Sequence, residues 1–397
     1  MRLRGRVLIP LAVVVVAVLL VVNYLRPIPA VAASPALPPA AAQGSPPSLP
    51  WPSGGATAAV GATGAGVLAA SGPARPTAIY SVAKVMTAIV VLEAKPLKKG
   101  VDGPSITVTA ADVAVYNQKA AAKESVVLVQ AGEQLTELQA LQALLIPSGN
   151  NIADLLGRWA FGSVDAEVQR MNAKAKEMKL AATNFADPSG ADLKTVSTPS
   201  DLVRLGEVAM ADPVIVDVVA LPQVVLPVAG TKFNVNYALG QGGIVGIKTG
   251  SSTEGGTAYL FAAPVDLPGV SLFLVGAVVG EQTLDQAFTV AKALIPVVKQ
   301  NLSLKRVVAR DQTVGRYVSP WGSQTDIVAA QDAQLVVWPG SIIRETLAAP
   351  PVEAPLAPGS KAGNLELRSG DQVVVVPLVT TSGLFPPGRA WRLTRIG

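Results

Sequence analysis

The sequence predicts an α+β domain followed by a smaller all-β domain. Three observations carry this expectation. Strand-like runs rich in β-branched residues open and close the central region, and helical periodicity lies between them. Beyond Leu302 the helical period disappears, and short apolar runs alternate with Pro and Gly ("VVARDQTVGRYVSP", "AQLVVWPG", "DQVVVVPLV"). The chain has 397 residues, 50% hydrophobic and 15% charged, enough to bury more than one core. The expected divisions are an N-terminal apolar segment over 1–25, a linker over 26–54, the α+β domain over 55–301 and the β-rich domain over 302–397.

The elements follow in order. Arg2, Arg4 and Arg6 precede an uncharged run, Val7 to Val22. Counting on to Leu25 gives about 19 residues, roughly 28 Å of helix, enough to cross a bilayer core. The flanking arginines place the N-terminus in the cytoplasm and the body outside. Ala30-Val31-Ala32 offers the alternative of a cleaved signal peptide. The run exceeds the usual signal-peptide core, which favours an uncleaved anchor, and either reading exports the body. Residues 26–54 are rich in Pro, Ala, Ser and Gly and read as an extended, semi-rigid spacer. Short β-like pieces follow near 57–70. A helix opening at "SVAKVMTAIV" should stop near Lys95-Pro96. "SITVTA" from Ser105 reads as a strand, and helical pieces run from about Thr136 to Ala211. Thr198-Pro199-Ser200-Asp201 marks one helix start, with a cap, a first-turn Pro and an acid. "GGIVGIKTG", "GTAYLFAA" and "VSLFLVGAVVG" read as strands, and "LDQAFTVAKALIPVVK" closes the region as an amphipathic helix.

Composition narrows the chemistry. The sequence has no Cys and no His, so disulfides, thiolate catalysis and the usual zinc ligands are absent. No metal or cofactor is expected. The net charge is +5, without a basic cluster interleaved with aromatics, so nucleic acid is not an expected partner. A mildly basic surface suits an anionic cell wall or membrane face.

Three short motifs remain. Ser81 and Lys84 form an S-x-x-K pair, which puts both side chains on one helix face. Taken alone, Ser81 reads as a helix cap. Ser148-Gly149-Asn150 sits between two helical runs and alone reads as a turn. Lys248-Thr249-Gly250 ends a strand, where glycine lets another backbone approach. The three occur in this order, spaced by about 67 and about 100 residues, the set found in class A β-lactamases and penicillin-binding proteins. Together they make Ser81 a nucleophile. Without histidine its base must be an amine, and an ordinary lysine is protonated at neutral pH. A second cation ~4 Å away at an effective dielectric of ~20 opposes that proton by about 4 kcal/mol. This is worth roughly 3 pKa units, and burial adds to it. Lys248 is the candidate cation.

The chain resembles the low-molecular-mass penicillin-binding proteins, which are serine D-alanyl-D-alanine carboxypeptidases of the β-lactamase/transpeptidase-like superfamily. The resemblance extends through "GEQLTELQALQALLIPSGNNIADLLGRWAFGSVDAEVQRMNAKAKEMKL", including Met171-Asn172, and through "TNFADPSGADLKTVSTPSDLVRLG" and "APLAPGSKAGNLEL". It covers most of 55–397 but not the anchor or spacer. It implies a bacterial cell-envelope enzyme that removes the terminal D-alanine of peptidoglycan stem pentapeptides, with β-lactams as covalent inhibitors. It implies an acyl-enzyme on Ser81, Lys84 as base, and Ser148 relaying a proton to the leaving D-alanine. Asn150 would orient the substrate amide. Lys248, Thr249, Gly250 and Ser251 would line the substrate site, with Lys248 and Thr249 on the terminal carboxylate. The N–H groups of Ser81 and Ser251 would form the oxyanion hole.

Two departures stand out. Ser251 follows K-T-G where many relatives have histidine, and Tyr80 precedes the nucleophile where many have a small residue. Tyr80 reads as core packing or as narrowing the site. The alternatives are a β-lactamase and a non-catalytic wall or division scaffold that keeps the fold. A β-lactamase of class A needs a deacylating glutamate, and the stretch Glu167 to Asn172 has one residue too many for the E-x-x-x-N pattern. Elsewhere, Asp187 and Asp192 read as turn formers, Asp154 and Arg158 as a surface ion pair, and the tryptophans as core residues.

Overall fold

The computed structural model describes residues 4–38, 40–72, 75–252 and 255–395. Its α+β part is a five-stranded antiparallel sheet in the order Gly246–Ser251, Thr257–Leu267, Val270–Val279, Thr57–Ala62 and Gly66–Ala70. The strand Thr257–Leu267 shows why both faces are covered. Ala258, Leu260 and Ala262 point into one core, and Tyr259, Phe261 and Ala263 into another. The first core holds the buried helix Lys84–Ala94, the helices Glu137–Leu145 and Asn150–Phe161, and Pro199–Ala211. The second holds the closing helix Leu284–Asn301 through Phe288, Leu294 and Val298. The strand Gly246–Ser251 has only one ladder neighbour, so its outer edge faces the helical half.

The capping signals worked as local chemistry predicts. The Thr198 hydroxyl accepts from Asp201 N, with Pro199 in the first turn. The Lys84 helix ends at Ala94, before Pro96. A helix at Ala110–Ala121, closed at its start by a reciprocal Thr109–Asp112 capping box, was not anticipated.

The second unit is β-rich, as expected. Its seven-stranded sheet runs Ala33–Pro35, Thr313–Val318, Gln324–Ala329, Gln372–Thr380, Lys361–Ser369, Ile342–Ala348, Ala41–Ala42. Both outermost strands come from the segment read as an extended, semi-rigid spacer: two short pieces of it pair into the sheet, which that reading did not include. Seven strands laid flat would separate the outer pair by roughly 29 Å at ~4.8 Å per step. The chain from Pro35 to Ala41 reaches at most ~21 Å. The sheet must therefore curl, and the segment straddles the gap between its edges. Val31 is buried in this unit's core and bridges to Val352.

The N-terminal run forms a helix, Arg4–Leu25, whose side chains are described from Ile9 onward. Arg2 and the side chains of Arg4 and Arg6 lie outside the described residues. Among the described residues no helix is long and apolar enough to cross a membrane. The apolar side chains of this helix are nonetheless exposed, Ile9 at 69% and Leu25 at 73%. Arg395, beyond the short helix Arg389–Thr394, donates to Asn23 O at 2.8 Å and Pro27 O at 3.0 Å.

Candidate active site

A short 3-10 turn, Tyr80–Ala83, runs directly into the helix Lys84–Ala94. Ser81 therefore lies on the turn and Lys84 opens the helix, one turn along the same face. Lys84 is fully buried, and its Nζ lies 2.8 Å from Ser81 Oγ. The same Nζ donates to Asn150 Oδ1 at 2.6 Å and to Ser189 O at 2.9 Å. Burial first, and then the positive charge of Lys248, pull the Lys84 amine well below its ordinary value, against the opposing charge of Asp187. Burial also pulls Lys248 down, to about 7. Both amines are thus pulled toward the neutral form, and each one's charge opposes the other's.

The second motif shapes the turn before the helix Asn150–Phe161. Ser148 holds φ +67° and is buried, and its Oγ has no hydrogen-bond partner among the described residues. A non-glycine residue held left-handed, with an unpaired buried hydroxyl, is typical of a functional site. Tyr80, at φ +49°, is a second left-handed residue beside the nucleophile.

The third motif lies on the sheet edge. Lys248 and Thr249 are buried, and Lys248 Nζ donates to Thr249 O at 3.1 Å. Gly250 lies hard against the nucleophile turn. A Cβ there would sit 2.7 Å from Ile79 O and 3.0 Å from Ser81 N. Gly190 presses on the same turn from the other side, where a Cβ would sit 1.8 Å from Tyr80 O. These two glycines let a strand and a loop clasp the Tyr80–Ser81 backbone. The loop is held by Asp187, which accepts from Ser189 Oγ at 2.7 Å and Thr195 Oγ1 at 2.8 Å. Burial alone would raise this carboxyl, but those hydrogen bonds hold it below its ordinary value.

Ser81 opens into a cleft of about 390 Å³ lined by Tyr80, Lys123, Glu124, Asn150, Leu193 and Ser251, among others. Lys84, Ser148, Lys248 and Thr249 are buried and do not themselves line this cleft, although Lys84 reaches Ser81 and Asn150 at its wall. Tyr80 both lines the cleft and packs on the edge of the core, and its hydroxyl donates to Gly255 O at 3.4 Å. Ser251 is exposed at the strand end.

The Asn150 amide is engaged at both ends, its Oδ1 by Lys84 and its Nδ2 by Glu124 Oε2 at 2.7 Å. One sequence reading changes. Asp154 and Arg158 do not pair with each other: Asp154 meets Lys119 at 3.3 Å, and Arg158 meets Asp112 at 2.7 Å. Glu167 is buried against Gly157 and is not part of the cleft lining. Glu124 and the Ser189 carbonyl were missed by the sequence reading. Neither belongs to a motif, and only tertiary packing brings them to Lys84.

Comparisons with known proteins identify the family. Residues 51–275 match the family described as D-alanyl-D-alanine carboxypeptidase. D-alanyl-D-alanine carboxypeptidase DacB2 of Mycobacterium tuberculosis is 37% identical over 102 residues, which span 25% of this chain and 35% of that protein. A D-alanyl-D-alanine endopeptidase of Pseudomonas aeruginosa is 32% identical over 139 residues, 35% of this chain and 42% of that protein. The chain therefore spans well under half the length of these relatives. Penicillin-binding protein 5 from Haemophilus influenzae superposes with a TM-score of 0.63 at 18% identity, covering 89% of this chain and all (100%) of that one. The Streptomyces K15 DD-transpeptidase gives 0.53 at 23% identity, over 65% of this chain and 97% of that one. At such identities the likeness to the solved structures is one of fold. The family match extends over more than half of the chain and spans all three motifs, and the chain belongs to the D-alanyl-D-alanine carboxypeptidase family.

Proposed function

We propose that this protein is a serine D-Ala-D-Ala carboxypeptidase acting on peptidoglycan stem peptides. The observation that carries the reading is the contact set of Lys84 Nζ: Ser81 Oγ at 2.8 Å and two pure acceptors, Asn150 Oδ1 and Ser189 O. A neutral amine has two N–H donors and one lone pair. The two acceptors take the donors, and the lone pair is left for the Ser81 hydroxyl, which then donates to Lys84. This supports lysine as general base in a chain without histidine.

The substrate lies in the cleft with its backbone along the open edge of Gly246–Ser251. Its terminal carboxylate meets the cationic Lys248 and the Thr249 hydroxyl. Ser81 Oγ attacks the penultimate carbonyl as its proton passes to Lys84. The backbone N–H groups of Ser81 and Ser251 take the oxyanion. The carbon–nitrogen bond breaks, and Ser148 relays a proton to the departing D-alanine amine. Water then cleaves the acyl-enzyme. A β-lactam acylates the same oxygen.

The body works in the cell envelope, anchored by the helix Arg4–Leu25. The uncharged sequence run and its exposed apolar side chains support this. Deleting residues 1–25 is expected to move the protein from the membrane to the soluble fraction, and an unchanged membrane fraction would count against the anchor.

The test of the activity is D-alanine release from a peptide ending in D-Ala-D-Ala, together with labelling by a fluorescent penicillin. The full chain is expected to do both, and Ser81→Ala neither. Release that persists in Ser81→Ala, or a folded wild type that does neither, overturns the proposal.

A further inference from the structure

We infer that Glu124 is a positioning residue for the catalytic lysine, acting through the amide of Asn150. The inference rests on the proposed carboxypeptidase reading and adds a residue that no motif contains.

An asparagine amide can turn over and exchange its oxygen and nitrogen. Only one orientation serves Lys84, because the amine needs an acceptor there. Asn150 Nδ2 donates to Glu124 Oε2 at 2.7 Å, and Asn150 Oδ1 accepts from Lys84 Nζ at 2.6 Å. A carboxylate only accepts, so Glu124 pins the nitrogen on its own side and turns the oxygen toward Lys84. Without it the amide is free to present its NH₂ to an amine that also donates.

The placement of Glu124 is built in. The helix Ala110–Ala121 ends just before it, and Lys123 reverses the chain at φ +59°. The strip that follows is tied to the Ser148–Asn151 turn. Asn150 N donates to Ser125 O at 2.7 Å, and the Asn151 amide exchanges two hydrogen bonds with the Val127 backbone at 2.9 Å each. The same Glu124 Oε2 lies 3.6 Å from Lys119 Nζ, and Lys119 also meets Asp154 at 3.3 Å. A line of alternating donors and acceptors thus runs from Lys84 through Asn150, Glu124 and Lys119 to Asp154. Among the described cleft-lining residues Glu124 is the single acid. Every oxygen and nitrogen of the Asn150 side chain is therefore assigned, and the assignment depends on Glu124.

The test compares Glu124→Ala with Glu124→Gln in the full chain, reading penicillin acylation and D-alanine release across pH. Gln keeps an acceptor for Asn150 Nδ2 and loses only the charge. Glu124→Ala is expected to slow acylation by about tenfold or more, with Glu124→Gln within about threefold of wild type at its optimum. Both variants lack a negative charge near Lys84, so the acid limb of each profile moves to lower pH. Glu124→Ala acylated at the wild-type rate overturns the inference, and so does Glu124→Gln slowed as far as Glu124→Ala. The Lys84 ammonium can also be titrated directly by its side-chain carbon NMR shift. A wild type that takes up no penicillin would count against the carboxypeptidase reading, and this titration would still decide the role of Glu124. A lower Lys84 midpoint in Glu124→Ala than in Glu124→Gln, which shares the lost charge, supports the inference, and equal midpoints in the two variants overturn it.

Discussion

At the scale of single residues, burial pulls several titratable side chains of the α+β unit toward their uncharged forms. The proposed mechanism draws on this shift at Lys84 and Lys248, while Glu167 has no such use. It is fully buried, and neither carboxyl oxygen has a hydrogen-bond partner among the described residues. It fits only because Gly157 faces it, where a Cβ would lie 2.1 Å from Oε2. Burial, reinforced by the charges of Asp154 and Asp187, raises its pKa from 4.5 to about 9. In the unfolded chain the group loses its proton near 4.5, and in the folded chain it keeps it to about 9. Between these limits the folded state binds the extra proton, so stability falls as pH rises and levels off above about 9. Glu167→Gln removes that slope. The variant is expected to be close to wild type near pH 5 and clearly more stable near pH 9, as read by urea midpoints at both. The same slope in both proteins would sink the account. The serines and lysines of the site were legible in sequence because each motif is local: three residues on one helix face, a tight turn, a strand end. Glu124 and Ser189 were not legible, since their roles come from contacts with residues far along the chain. The protein partners of Asn150, Lys84 and Glu124, could not be read from its motif.

At the scale of elements, capped helices and alternating strands were readable because their signals lie within one turn or one pleat. The segment over 26–54 was not. Its composition excludes helix and favours extended backbone, which is correct, but extended backbone is also what an open sheet edge can pair with. Pro35 shows the compatibility: on an edge strand opposite Gly315 it has no N–H to give, and Ala36 N makes the next bond, to Val314 O at 2.9 Å. Composition reports conformation and is blind to the partner 280 or so residues away, here Gly315 opposite Pro35 and Ile343 opposite Ala41. A truncation pair follows from this. Starting the chain at residue 26 keeps both edge strands and Val31, and starting it at residue 55 removes them. The shorter form is expected to melt about 5 °C lower or more and to scatter light on heating, because two bare strand edges are exposed. Equal melting and equal scattering would show that the segment adds nothing to the sheet.

At the scale of the whole molecule, the two units are joined through a few side chains. Trp338, from the β-rich unit, is 4% exposed and buried in the second core of the α+β unit, with Leu49 and Trp51 of the N-terminal segment packed beside it. Arg204 meets Asp371 across the same junction at 3.1 Å, and Asp371 fits against Gly66, where a Cβ would come 2.6 Å from its own. The two contacts differ in kind. Arg204 and Asp371 are 33% and 53% exposed, and a pair that open contributes about 0–1 kcal/mol. Removing a buried tryptophan costs about 3–5 kcal/mol, through lost apolar burial and the cavity left behind. Trp338 is therefore the residue that makes the units unfold together, and Trp338→Ala is expected to divide one calorimetric transition into two. The groups proposed to be catalytic lie on the Tyr80, Ser148 and Lys248 elements of the α+β unit, so D-alanine release at 25 °C should change little. Arg204→Ala, on the same junction, should leave a single transition with a midpoint within about 2 °C of wild type. If Trp338→Ala still melts as one unit at an unshifted temperature, the units are coupled by other means, and the Arg395 contacts that tie the two ends of the chain become the next contacts to cut.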